Sequence, residues 1–83
     1  MKQNRDEIII DGLVWINPER SGGAPCFYGT RVPIKNLFDY VSGTEGLGGF
    51  LEGYPSVTRE QAQGVLRRAE GLLLAAYSDR AAA

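Results

Sequence analysis

The sequence predicts a mainly α domain, with three helices forming a helix-turn-helix core behind a short N-terminal β section. Three observations predict it. Thr58-Arg59-Glu60-Gln61 opens a long apolar stripe and marks one helix start. Two earlier segments, Pro33 to Ser42 and Leu47 to Tyr54, repeat apolar residues at i, i+3, i+4 and i+7. Ile8-Ile9-Ile10 and Leu13-Val14-Trp15-Ile16 flank Asp11-Gly12, a strong hairpin signal.

The 83 residues fit a single domain spanning 1–83. Residues 8–32 form the β and loop section and 33–77 the helical core; the polar ends, 1–7 and 78–83, are expected to fray. With 43% hydrophobic and 23% charged residues the chain has an ordinary globular balance. A chain this small buries only a little more than about 60% of its unfolded surface, so self-association is a natural way to bury more.

The Asp-Gly pair tolerates the positive φ that a type I′ turn demands at both central positions. Asn17-Pro18-Glu19 ends the second strand, and Ser21-Gly22-Gly23-Ala24-Pro25 reads as a connector. Cys26-Phe27-Tyr28, Gly29-Thr30 and Arg31-Val32 make a shorter extended segment with a turn at its centre. Gly29 and Pro33 bracket the bend that aims the chain into helix one. Arg31 between them could pair with Asp39 or Glu52, or reach a phosphate.

Pro33 suits the first helical position, where its missing N–H is not needed. Ile34, Leu37, Phe38 and Val41 give helix one its buried face, and Gly43 offers a left-handed stop. Thr44 is the expected N-cap of helix two, whose apolar residues are Leu47, Phe50, Leu51 and Tyr54. Gly46, Gly48 and Gly49 each cost about 1 kcal/mol relative to alanine inside a helix. Helix two is therefore expected to be short, to depend on tertiary packing, and to tend to irregularity. Pro55 blocks its continuation and biases Tyr54 to extended geometry.

Helix three begins at a capping box. The Thr58 oxygen accepts the Gln61 N–H while the Gln61 side chain reaches back, and Val57 with Ala62 forms the hydrophobic staple. Ala62, Val65, Leu66, Ala69, Leu72, Leu73, Ala76 and Tyr77 continue as one stripe. Leu74 falls outside that stripe, among polar positions.

Composition narrows the chemistry. No histidine occurs, so Ser-His, Cys-His and His-metal arrangements are excluded, and one cysteine cannot build a structural zinc site. Cys26 lies beside Phe27 and Pro25 and reads as a buried, inert thiol. The ten carboxylates are scattered, with Glu52, Glu60 and Glu70 on helix surfaces. The sequence therefore points away from an enzyme and implies no catalytic residue, metal, cofactor or small-molecule substrate. A lone cysteine and the absence of any signal-like or membrane-spanning run fit a cytoplasmic protein.

A formal charge of -1 and a pI of about 5.3 count against a general nucleic-acid binder and confine any DNA contact to a local patch. In helix-turn-helix proteins the second helix of the pair presents its first turns to the major groove. Here those positions carry Ser56, Thr58, Arg59, Gln61, Gln63 and Arg67, types that bond phosphates and base edges. Thr58 and Gln61 also have an ordinary task as a cap, and Arg59, Gln63 and Arg67 are what any solvated helix face carries. A protein-interaction reading uses other residues. Leu73, Leu74 and Tyr77 mark an interface on helix three, and Trp15 with the isoleucine run marks one on the hairpin, as a homodimer surface or a partner's docking site. For Trp15 a plain core position explains its type equally well.

Several segments, in order, resemble one known family. They are Gly22-Gly23-Ala24-Pro25, Gly29-Thr30-Arg31-Val32-Pro33, Leu37-Phe38-Asp39-Tyr40, Phe50-Leu51-Glu52, Tyr54-Pro55-Ser56-Val57-Thr58-Arg59-Glu60-Gln61-Ala62 and Val65-Leu66. The chain, from about Trp15 to Leu73, resembles the family named domain of unknown function 433. The resemblance implies a homeodomain-like fold and the role of antitoxin in a type II toxin–antitoxin pair. It further implies a PIN-like nuclease toxin as partner, with repression of the shared operon through operator DNA. It supplies no catalytic residues. The chain departs from the family at Gly48-Gly49, where similar sequences carry acidic, helix-favouring residues. The alternative is a protein-interaction module, dimeric or partner-docking, that never touches DNA.

Overall fold

The core forms where every element meets. Phe27, Leu37, Phe50 and Ala62 have no exposed surface, and Val14, Val57 and Val65 close the cluster around them. In this computed structural model the backbone is described for residues 7–82 and side chains for residues 7–76. Three helices follow a three-stranded antiparallel sheet of order β1-β2-β3: β1 (Ile8–Ile10), β2 (Val14–Ile16), β3 (Cys26–Phe27), α1 (Ile34–Val41), α2 (Gly46–Gly53) and α3 (Arg59–Ala82). A single 3-10 turn at Ser21–Gly23 joins β2 to β3, as a connector should.

The Asp-Gly hairpin is present, with both residues left-handed (Asp11 φ 55, Gly12 φ 68). Its register pairs Ile10 with Val14, so Leu13 leaves the ladder that the sequence placed it in. The cause lies across the fold. Leu13 packs over Gly64 of α3, where an added Cβ would meet Leu13 Cδ2 at 2.8 Å.

After β3 the chain turns at Gly29 (φ 83), where the Thr30 N–H donates to the Phe27 carbonyl at 2.9 Å. The Val32 N–H bonds the Thr30 hydroxyl at 3.0 Å, and the Phe27 N–H bonds the Val32 carbonyl at 3.0 Å. Pro33 then bridges to Cys26. Pro33 is extended (φ -64, ψ 140) and caps α1 from outside, so the helix begins at Ile34, one residue later than the sequence predicts. Having no N–H, it still offers its carbonyl to Asn36 at 3.1 Å. Arg31 pairs with neither candidate among the described residues; Asp39 holds Lys35 instead, at 2.8 Å on the same helix.

Two expected signals between α1 and α2 fail. Gly43 is not left-handed; α1 ends at Ser42 in a right-handed conformation, and Gly43 N–H bonds the Tyr40 carbonyl at 3.1 Å. Thr44 does not cap α2, whose preceding residue is Glu45 without a side-chain cap bond. The left-handed glycine is Gly46 (φ 68), which lets the chain enter α2 directly. Helix α2 is short, and packing holds it. Phe50 lies against Phe27 (5.6 Å between ring centroids), Tyr40 (5.7 Å) and Tyr54 (4.9 Å).

Helix α3 parts from the expectation in its second half. Ala62 and Val65 are buried, and Leu66 and Ala69 are half-buried. Leu72, Leu73 and Leu74 are 61%, 72% and 56% exposed. The stripe continues in sequence, but the body of the domain stops beneath it. The radius of gyration, 14.5 Å, exceeds the roughly 12 Å of a compact chain of this length because α3 projects. The helix runs through Ala82; alanine has the highest helix propensity and no breaker follows Gly71. The proposed contact at Tyr77 and the expected fraying of residues 1–6 lie outside the described side chains and residues.

Candidate nucleic-acid and partner interfaces

The start of α3 is fixed by the residues that begin it. The Gln61 N–H donates to Thr58 Oγ1 at 3.0 Å, and the Thr58 N–H donates to Gln61 Oε1 at 3.0 Å. Both bonds of the capping box are therefore made. Val57 and Ala62, the staple pair, are 3% and 0% exposed. A third bond has no signal in the sequence. Gln61 Nε2 donates to the Tyr28 carbonyl at 3.1 Å, across 33 residues, and ties α3 to the turn after β3. Both ends of the Gln61 carboxamide are thus engaged within the fold.

The turn leading into α3 is held from the other side. Asn36 Nδ2 donates to the Tyr54 hydroxyl at 3.2 Å, and the Tyr54 ring meets Tyr40 edge-on at 5.9 Å. The Val57 N–H closes the Tyr-Pro turn onto the Tyr54 carbonyl at 3.0 Å. Pro55 and Ser56 stand exposed at its tip.

Arg59, Gln63 and Arg67 are spaced four apart, so they follow one line along the helix, turned away from Val65. Arg59 and Arg67 are exposed, Gln63 is half-buried, and among the described residues neither arginine joins an ion pair. Ser56 and Thr58 are exposed at the same end. Arg68 is different: its Nε bonds Asp11 Oδ2 at 3.1 Å and clamps α3 to the hairpin turn. Glu60 and Glu70 flank the arginines and keep the positive excess small.

The described partner-interface candidates, Trp15, Leu73 and Leu74, stand on two elements, the first on β2 and the other two on α3. Trp15 is half-buried on the sheet, where its Nε1–H donates to the Thr30 carbonyl at 2.8 Å. Its ring packs edge-on against Tyr28 (5.1 Å), and the Arg20 guanidinium sits 5.1 Å from its centroid. Leu73 and Leu74 stand exposed on the second half of α3. Beside that half lies an apolar groove of about 400 Å3 between the hairpin, α1 and α3. Ile10, Ile16, Ile34, Phe38 and Leu72 line it, with Arg68 as its charged member. The sequence carried no sign of this groove, which depends on how three elements pack. Cys26, 3% exposed, lies on β3 with its thiol directed at the Ala24 carbonyl (3.5 Å). Among the described residues no helix is long and apolar enough to cross a membrane.

A family model described as "Protein of unknown function (DUF433)" matches residues 14–67. The chain belongs to this family. No curated protein and no solved structure matches it. The DUF433 segment begins at the first residue of β2 and ends at Arg67, so it contains all seven core residues and the capped start of α3. The exposed leucines lie beyond its C-terminal limit.

Proposed function

We propose that this DUF433 protein is a non-enzymatic antitoxin and transcriptional regulator of homeodomain-like type, which binds a PIN-like nuclease toxin and operator DNA. One observation carries the DNA half: a doubly capped helix start, held from both sides, with exposed Arg59 and Arg67 and half-buried Gln63 in one line along the helix behind it. A helix entering the major groove needs its first turns rigid and its polar face free of tertiary contacts. In this reading Ser56 and Thr58 meet phosphate near the positive end of the helix, and Arg59, Gln63 and Arg67 meet phosphates or base edges. Gln61 serves by holding the helix start in place, since its carboxamide is already bonded. The toxin half rests on the family resemblance.

DNA from upstream of the protein's own gene, titrated in a mobility-shift assay over a salt series, tests the reading. Binding should weaken as salt rises, and Arg59→Ala or Arg67→Ala should each lower the slope of log K against log salt by about 1 per lost phosphate contact. Absence of binding at low salt, with or without the product of the neighbouring gene, refutes the DNA half. A neighbouring gene that encodes no nuclease refutes the toxin half. The second reading, an interaction module without DNA contact, is favoured by the exposed Leu72, Leu73 and Leu74 and by the net charge of -1.

A further inference from the structure

We propose that Trp15 is a positioning residue for the start of α3. Its indole N–H orders the turn after β3, and that turn sets how α3 presents Arg59, Gln63 and Arg67. The part played in DNA binding rests on the DNA reading; the tie between sheet and helix does not.

Helix α3 is attached to the β section along one side. Gln61 Nε2 donates to the Tyr28 carbonyl at 3.1 Å. One turn on, a Cβ at Gly64 would meet Leu13 Cδ2 at 2.8 Å, so glycine lets the hairpin lie this close. A further turn on, Arg68 Nε bonds Asp11 Oδ2 at 3.1 Å. These are positions i, i+3 and i+7, which share one face of a helix. A single attachment leaves a helix free to roll about its axis; three along one line fix its rotation. Arg59, Gln63 and Arg67 run along a different line, so this attachment decides where they point.

Gln61 alone of the three lies in the first turn, the part that enters the groove in the DNA reading. Its acceptor is fixed through β2. The Tyr28 N–H donates to the Leu13 carbonyl at 2.8 Å. Gly29 (φ 83) then turns the chain, and the Thr30 hydroxyl closes the turn, donating to the Phe27 carbonyl at 2.9 Å and accepting the Val32 N–H at 3.0 Å. The Thr30 carbonyl takes the Trp15 Nε1–H at 2.8 Å, and among the described residues no other donor meets it. The indole is held for this bond by Tyr28, edge-on at 5.1 Å, and by the Arg20 guanidinium, 5.1 Å from its centroid. Phenylalanine would keep that packing; the N–H is what tryptophan adds. The path is continuous from the Trp15 N–H through Thr30 and the Tyr28 carbonyl to the Gln61 carboxamide, which accepts the Thr58 N–H at 3.0 Å.

Trp15→Phe, followed by residue-resolved amide exchange and by the mobility-shift titration, tests the proposal. Gln61 Oε1 is the acceptor of the Thr58 N–H, so that amide reports where the carboxamide sits. It should exchange about fivefold faster in the variant, the fold-change of one lost hydrogen bond. The amides of Val65 and Leu66 and the far-UV circular dichroism should not change. DNA affinity at fixed salt should fall by a similar factor. The slope of log K against log salt should keep its wild-type value, because no phosphate contact is lost. In a Gln61→Glu background, where the bond to Tyr28 is already gone, Trp15→Phe should cost little further affinity, since two breaks in one path do not add. The chain holds one tryptophan, so biosynthetic replacement by benzothienylalanine, with sulfur in place of the indole N–H, gives a second form of the same shape. An unchanged Thr58 rate in both forms overturns the proposal. So do an unchanged affinity, additive losses in the double variant, or a reduced slope, which would put the indole itself on the DNA. A wild type that binds no DNA defeats the DNA reading alone; the Thr58 rate then upholds the tie if it rises and overturns it if it does not.

Discussion

The two neighbouring glycines of α2 should respond to alanine in opposite directions. A Cβ at Gly48 meets nothing within 4 Å. Gly48→Ala therefore gains the helix-propensity difference, about 1 kcal/mol. A Cβ at Gly49 would stand 2.6 Å from Glu45 Cβ and 3.2 Å from its Cγ. The first of these atoms is fixed to the backbone, and Glu45 is placed by the left-handed Gly46 that follows it. Gly49→Ala must displace the entry to α2, an overpacking cost of about 1–3 kcal/mol that outweighs the same propensity gain. The two variants should differ by about 2 kcal/mol. At about 4–8 °C per kcal/mol for a domain of this size, Tm should rise by about 5 °C for Gly48→Ala and fall by a similar amount for Gly49→Ala. Thermal unfolding followed at 222 nm reads the difference, with all samples at one protein concentration because any dimer makes Tm concentration-dependent. Equal stabilisation by both alanines would show that the entry to α2 yields freely and would refute the argument. By the same geometry Gly48 accepts a side chain and Gly49 does not.

Other residues give sharper single tests. Phe50→Ala should cost about 3–5 kcal/mol, a large part of the roughly 4–12 kcal/mol that a domain of this length holds, and urea unfolding should find it marginally folded. Thr58→Ala should cost about 1 kcal/mol as a lost cap. Gln61→Glu keeps the acceptor for the Thr58 N–H but loses the donor to the Tyr28 carbonyl, so its urea midpoint should fall; an unchanged or raised midpoint would show that the long-range bond contributes nothing. Cys26, at 3% exposure, should react with a thiol reagent only as fast as the chain opens, and rapid labelling of the native protein would contradict its burial.

The elements read most securely in the sequence are those whose cause is local. The capping box at Thr58, the Asp-Gly turn and the proline stop at Tyr54-Pro55 all depend on neighbours within a few residues, and all appear in the structure. The apolar spacing of helix one and helix two likewise located α1 and α2, because a helix repeats every 3.6 residues wherever it lies. The line of Arg59, Gln63 and Arg67 was visible for the same reason. Gly43 and Thr44 misled because several small or polar residues between two helices can each serve as stop or cap. Only the path of the chain selects Gly46.

The sequence by itself determined where the helices and the hairpin lie, how α3 begins, and which of its residues face away from the core. It also restricted the chemistry: without histidine, no Ser-His, Cys-His or His-metal arrangement can form among its residues. Only the tertiary structure decided how far along α3 the burial extends. Periodicity marks Leu72 and Leu73 as core-facing whether or not a body lies beneath them, because amphipathicity records a side of the helix and not the length of the surface it meets. The structure ends that surface near Ala69, removes Leu13 from its strand to cover Gly64, and ties Gln61 to Tyr28 across 33 residues. Each of these is a contact between distant segments, set by how the elements pack and invisible to any local rule.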